Sequence, residues 1–282
     1  MMEENQVLNK FAPLICFASL VLIAAMTISC GSSSSATKAT CTGGPYDMVG
    51  DWGLLFNDSP YETWAGVINT AGLGIFFKSN TTNLVPFFGS EIVIPSITGA
   101  CSFSENLTYY VTPAWEGGGE VYSDPVQATV QSGPAIRGTI TEGTGSDSFL
   151  GLPQSVLQFP FTPTALTSTM TMLDESSPVA DSVTVQVIPS GTGNSADMTL
   201  SGTDGLHCNV SGTFTQEGSN AANLNVFDVS LTFTGTGCQV TGTIQGLGFE
   251  SQYDYFFTLS SGTFLYAMSG NSANVFDFYP QP

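Results

Sequence analysis

Six cysteines, a single histidine and three tryptophans flanked by acids hold most of the chemistry that this sequence could perform. Cys30 follows Thr27-Ile28-Ser29 and precedes Gly31 and four serines, Ser32 to Ser35, downstream of an uncharged apolar run from Phe11 to Met26. A short region carrying Lys10, an apolar core and a small residue before the cut describe a secretory signal. A cysteine at the cut is the residue that takes lipid in a bacterial lipoprotein. Cys30 is therefore the expected lipid-attachment site, with 1–29 as signal peptide and 30–44 as a Ser/Thr/Gly-rich tether. Thr27 stands where Leu is usual, and Glu3 and Glu4 make the leader less positive than most. Two other readings are cleavage without lipid and retention of the run as an anchor. The run falls just short of the ~20 residues a spanning helix needs. All three readings place the remaining chain outside the cytoplasm. Lipidation points to the bacterial cell envelope, at the outer membrane, on its periplasmic or surface face.

Export leaves Cys41, Cys101, Cys208 and Cys238, an even number in an oxidising compartment, and so two disulfides with three possible connectivities. No Cys-x-x-Cys pair occurs, which removes support for thioredoxin-like or zinc-ribbon chemistry.

His207 is the only histidine, so a Ser-His-Asp triad would have to pass through it, and no Gly-x-Ser-x-Gly elbow accompanies it. Beside a disulfide cysteine, it reads as a turn or strand-edge residue. Asp51, Glu62, Glu116 and Glu120 lie near Trp52, Trp64 and Trp115 in sequence. Aromatic faces beside carboxylates suit sugars, and a carboxylate pair could hydrolyse a glycoside. Trp52, Trp64 and Trp115 are thus the candidate ligand-binding residues, and core tryptophans beside solvated acids are the competing reading. Asn194, Asp197 and Asp204-Gly205 carry oxygen ligands in Gly-bearing turns, but their spacing fits no EF-hand loop, and turn chemistry accounts for them. No metal and no cofactor is expected.

The chain holds 23 Asp and Glu against four Lys and Arg, a net charge of −19. Nucleic-acid binders neutralise phosphates with Lys and Arg, so that partner is excluded. No Gly-rich phosphate loop precedes a helix, which leaves nucleotide binding unsupported. The partners that remain are the membrane, through the lipid, and an envelope polysaccharide or protein. The acidity does not signal disorder, because 20 Phe and 42% hydrophobic residues supply a core.

The elements that must position these residues are strands. Val183, Val185 and Val187 alternate with polar residues, as do Phe227, Val229, Leu231 and Phe233. Tyr255, Phe257 and Leu259 repeat the pattern, and so do Phe264, Tyr266 and Met268. A period of two in β-branched and aromatic residues marks half-buried strands, and Gly-rich clusters such as Gly143-Thr144-Gly145 and Gly235-Thr236-Gly237 separate them. Ser148 to Gln158 is the one stretch that could be a helical connector, against which Pro153 argues. The expected fold is all-β, an antiparallel β-sandwich or β-barrel, with an N-terminal β region over 45–160 and a C-terminal one over 161–282.

The two regions share an echo. Cys101-Ser102-Phe103-Ser104 precedes Ile136-Arg137-Gly138-Thr139-Ile140, and Cys208-Asn209-Val210-Ser211 precedes Val240-Thr241-Gly242-Thr243-Ile244 at nearly the same spacing. Duplication into two similar halves and chance likeness between Gly/Thr-rich strands both explain it. If Cys238 shares a strand face with Val240 and Ile244, and Cys208 with Val210 and Phe214, both sulfurs point to one apolar side. The position before Ile136 that would match Cys238 is Pro134. The pairing expected is therefore Cys208–Cys238, with Cys41–Cys101 left over.

His207 to Phe249 carries Cys208-x-Val210-Ser211-Gly212-Thr213, then Asn225-Val226-Phe227-Asp228-Val229, then Cys238 and Gly242-Thr243-Ile244-x-Gly246. This stretch resembles a recurrent, poorly characterised type of bacterial envelope lipoprotein, with Phe227 where that type has Tyr. The motifs are structural, and the resemblance implies an all-β envelope protein with no catalytic residue. Gly50-Asp51-Trp52 is similar to the Gly-x-Trp opening of lipocalin-like barrels. Together these readings give a non-catalytic binding or structural lipoprotein, with a carbohydrate-binding module and a carboxylate-based envelope hydrolase as alternatives.

Overall fold

A computed structural model describes residues 48–57, 62–80, 88–93, 101–111, 121–131, 135–141, 143–153, 165–174, 182–191, 196–217, 225–252, 263–269 and 274–280. The leader, the tether with Cys30, Cys41, Trp115 and the junction at 160/161 lie outside these residues, as does the run Tyr255 to Leu259. Every regular element described is a strand. The first eight are β1 (Gly50–Phe56), β2 (Glu62–Ile68), β3 (Leu73–Asn80), β4 (Phe88–Val93), β5 (Ser102–Val111), β6 (Val121–Gln131), β7 (Ala135–Ile140) and β8 (Asp147–Pro153). Each pairs antiparallel with the next, and β8 returns to β1, closing an eight-stranded barrel. The second eight are β9 (Ser168–Asp174), β10 (Ser182–Pro189), β11 (Met198–Thr203), β12 (Asn209–Gln216), β13 (Phe227–Thr234), β14 (Gly242–Ser251), β15 (Phe264–Ser269) and β16 (Val275–Pro280). They close in the same way through β16 and β9. The protein is all-β with two similar halves, and each half is a barrel rather than a sandwich.

The helical connector is corrected over 148–153, and 154–158 lies outside the described residues. Residues Asp147–Pro153 are the strand that closes the first barrel, held between β7 and β1, because Phe149 and Gly151 fit the inward face while Ser148 and Leu150 face out. The sequence echo is a three-strand meander in each half, β5-β6-β7 and β12-β13-β14. Those are strands five to seven of one barrel and four to six of the other. The echo therefore runs one strand out of step with the barrels.

Alternation fills each interior. Trp52, Leu54, Phe56, Trp64, Phe76, Phe103 and Phe149 line the first, and Val183, Val185, Val187, Phe214, Leu231 and Phe278 line the second. Eight strands leave an interior just wide enough for side chains to fill. Outward positions of the second barrel, such as Thr184, Gln186, Ser201 and Thr213, are exposed and polar. A transmembrane barrel shows the reverse, with its apolar band facing lipid.

One stretch departs from this rule. β15 is buried at every residue, as are the last five residues of β14. Leu265 and Ala267 face the barrel interior, while Phe264, Tyr266 and Met268 face outward with Leu247 and Phe249 into a separate apolar cluster. Ala65, Val67, Ile75 and Phe77, from the outer face of β2 and β3, join that cluster, with Val226 and Val275 of the second barrel. Phe77, Phe249 and Tyr266 stack on one another with ring centroids 5.0 to 6.2 Å apart. At the edge, the Thr70 backbone N–H donates to Glu217 Oε2 at 2.8 Å. Both barrels thus belong to one compact unit.

A second tie joins two turns of the C-terminal barrel. Cys208 and Cys238 form a disulfide with Cα atoms 4.6 Å apart. Cys238 lies in the turn before β14 and not on a strand, although it packs against the barrel core with Val240 and Ile244. The two turns touch backbone to backbone. A Cβ on Gly237 would collide with the Leu206 carbonyl oxygen, and one on Gly235, at φ +122°, with that of His207. Cys101 is also disulfide-bonded, while Cys41, the partner expected for it, lies outside the described residues.

Two outcomes follow from this architecture. All three tryptophans lie in the first half of the sequence, so their fluorescence reports unfolding of the N-terminal half. Phe249→Ala, made in the second barrel, should cost ~3–5 kcal/mol and move the tryptophan transition in urea. A transition that stays at the wild-type midpoint would mean that the barrels do not support each other. Replacing Cys208 and Cys238 together by Ser should cost ~2–4 kcal/mol, read as a lower urea midpoint by circular dichroism. An unchanged midpoint would show that the backbone contact between the turns suffices alone.

Candidate functional site

The residues singled out by type occupy structural positions. Trp52 and Trp64 are 3% and 2% exposed, inside the first barrel. Trp52 Nε1 donates to the Met48 carbonyl oxygen at 2.7 Å, and Trp64 packs against Phe56 and edge-on to Tyr109. Neither offers a face to a sugar, which corrects their assignment as ligand-binding residues. Trp115, Glu116 and Glu120 lie outside the described residues. His207 is exposed at a turn with φ +71°. Asp204 Oδ1 accepts from the backbone N–H of Leu206 and of Cys208 at 2.9 and 2.7 Å, and Asp197 Oδ1 from that of Gln216 at 2.7 Å. These oxygens tie strands and turns. Among the described residues no group of three His, Cys, Asp or Glu could hold a metal ion.

Asp51 is one of the candidate carboxylates, and the structure sets it between the barrels. It sits on the outward face of β1, paired with Val67 of the inter-barrel cluster. Its Oδ2 accepts from Asn225 Nδ2 at 3.5 Å, across from the second barrel. The same amide donates to the Glu250 carbonyl oxygen, while Asn225 Oδ1 accepts from the Glu250 N–H at 2.8 Å. Burial pushes the Asp51 carboxyl up to about 6, against hydrogen bonds from its own backbone and from Asn225 that favour the charged form. Along the same cross-strand row, on β4 beside Ile75, burial raises Glu91. Burial, and then the Glu91 charge, raise Tyr110.

A recess lies elsewhere, on the outer face of β5 to β8, with a volume of about 790 Å³. Register builds it. Ser102 pairs with Thr129 and Thr129 with Arg137, forming one outward row. Ser104, Gln127, Thr139 and Ser148 form the next, and Asn57 extends it by donating its backbone N–H to the Ser148 carbonyl oxygen at 3.0 Å. The inward row between them is Phe103, Ala128, Gly138 and Phe149. Gly138 is required there, because a Cβ would stand 2.5 Å from the Phe149 ring. Two polar rows thus flank a floor of backbone, whose side chains point into the barrel. Among the described residues that line it, none is Asp or Glu. Arg137 is exposed and is the only Lys or Arg of the chain whose side chain the structure describes. A second, enclosed space of about 30 Å³ inside the first barrel is lined by apolar side chains alone, too small for more than a methyl-sized group.

Single-residue reasoning missed this recess, because serines and threonines spread over four strands carry no signal of their own. Only the rarity of Arg137 was visible in advance.

The Asp51 carboxyl makes stability depend on pH. Its folded value of about 6 lies above the ordinary 3.8, so between these the folded state holds a proton that the unfolded chain has lost. The stabilisation is complete below about pH 3.8 and is lost as pH rises through about 6. Asp51→Asn should therefore raise stability at neutral pH, on the order of 2 kcal/mol, and flatten the urea midpoint across that window. A variant that keeps the wild-type slope would place the titration on another group. Protein-family models, curated proteins and solved structures offer no match to this chain, and its function is read from its own residues.

Proposed function

We propose that this chain is a non-catalytic lipoprotein of the bacterial cell envelope, held by lipid on Cys30, whose two fused barrels bind or support other envelope components. The observation that carries this reading is the use of the barrel interiors. Both are filled with large side chains, and the outer faces of β2, β3, β14 and β15 are spent on joining them. Such a block is a rigid platform, and what remains for recognition is its outer surface. Acidity suits that setting, since like charges keep a crowded surface protein dispersed.

The alternatives fare differently. A hydrolytic pair that includes Asp51 would need substrate to enter between the barrels, where Asn225 already occupies the carboxylate. A carbohydrate-binding role keeps support from the recess on β5 to β8 and not from Trp52 or Trp64.

The anchor is tested by feeding producing cells a clickable palmitate analogue. The full chain should take up label, and Cys30→Ala should abolish it and leave an unprocessed, larger precursor. Label that persists in Cys30→Ala would overturn the lipoprotein assignment.

A further inference from the structure

Trp52 enters the first barrel, so Asp51 beside it must face outward. Outward on this part of β1 means toward the seam, next to Val67. We infer that Asp51 and Asn225 make the seam a proton-operated latch, which holds the two barrels together when the Asp51 carboxyl is protonated and loosens when it ionises. This goes beyond the platform reading above, since it makes the join between the barrels adjustable.

The first ground is the donor that meets the carboxyl. Asn225 is buried, and the Glu250 backbone clamps both atoms of its amide. Nδ2 donates to the Glu250 carbonyl oxygen, and Oδ1 accepts from the Glu250 N–H. The amide therefore cannot turn over, and it offers Asp51 a single N–H at 3.5 Å. A protonated carboxyl still accepts that bond through its carbonyl oxygen. An ionised one needs several close donors to replace the water it has lost, and here it has Asn225 and its own backbone. Ionisation thus favours any opening of the seam that lets water reach Asp51.

The second ground is the set of titratable groups around it. Among the described residues, β2 and β3 turn none to the seam, and β15 turns the Tyr266 phenol. Asp277 of β16 stands beside Tyr266 in its row, and Asp228 of β13 beside Leu247. Glu250 of β14 shares a row with Leu265 and Phe278, and so points into the second barrel. Glu217 accepts from Thr70 at the edge. Glu91 lies on the same row as Asp51 but three strands away. That is about 14 Å at the interstrand spacing, beyond the screening length of about 8 Å. All of these are acids. Of the described basic side chains, Arg137 is on β7 and His207 in the turn before β12, neither on a strand of the seam. No cation holds the ionised form, and burial keeps the carboxyl near 6. An open seam returns it to the ordinary 3.8, so opening releases a proton and becomes easier as pH rises between these values.

The test is amide hydrogen exchange of the full chain in detergent, read by mass spectrometry at about pH 5 and about pH 8 and corrected for intrinsic exchange. Amides of β2, β3, β14 and β15 should open about tenfold more often at the higher pH, the change that values of about 6 and 3.8 give. They should also exchange faster than those of β10 and β11, which lie four strands from β14 and β15 around the second barrel. Asp51→Asn, which keeps a neutral group of the same shape, should remove the rise and hold the seam at its low-pH protection. Glu91→Gln should leave the rise intact. Circular dichroism checks that each variant is folded. A rise that persists in Asp51→Asn, or that vanishes in Glu91→Gln, would overturn the inference. So would seam amides as well protected as those of β10 and β11 at both pH values, since the seam would then open only when the whole chain unfolds.

Discussion

The contact between Phe77 of one barrel and Phe249 and Tyr266 of the other is the constraint on which the rest depends. An eight-stranded barrel is complete in itself, with its interior filled and its outer face turned to water. Here β14 and β15 have apolar residues on both faces, and a barrel carrying such an outer face cannot stand alone in water without exposing a large patch. Pressing that face onto β2 and β3 removes Ala65, Val67, Ile75, Phe264 and Met268 from solvent together with the three stacked rings. Two barrels become one block, and Asp51, held at the seam by Asn225, pays for its place with a carboxyl that resists ionising.

Much of this was legible in the sequence. The alternation in β10 and β13 is clear because one set of residues is apolar and the other polar, and the structure buries the apolar set. In β15 the same reasoning picks out Phe264, Tyr266 and Met268 but cannot say which way they face. Leu265 and Ala267 between them are apolar as well, and a period of two assigns a side only when the sides differ. Trp52 parts from its acidic neighbour for a related reason. Asp51 next to Trp52 suggests a joint site, but neighbouring residues on a strand point to opposite faces. The tryptophan enters the core while the acid goes to the seam. Proximity in sequence counted against the pair.

The polar recess was illegible because it is wholly a product of register. Ser102, Thr129 and Arg137 come from three strands and are joined only by hydrogen-bonded pairing. No local pattern foretells that a Ser-x-Ser on β5 meets a Gln-x-Thr on β6 and an Arg-x-Thr on β7. Shifting any of these strands by one residue would turn its polar row inward and Phe103 or Ile136 outward. The buried aromatics therefore fix the register, and the register assembles the surface.

Position around the ring completes the account. In a closed barrel of eight strands, β2 and β3 lie four strands away from β6 and β7. The outer face that docks on the second barrel and the outer face that carries the polar rows thus look in opposite directions. The first barrel is apolar on one outer side and hydroxyl-rich on the other. Docking consumes the apolar side and leaves the polar side clear of the second barrel. Hydroxyls are groups that water satisfies at little cost, so that side is stable without a second barrel against it.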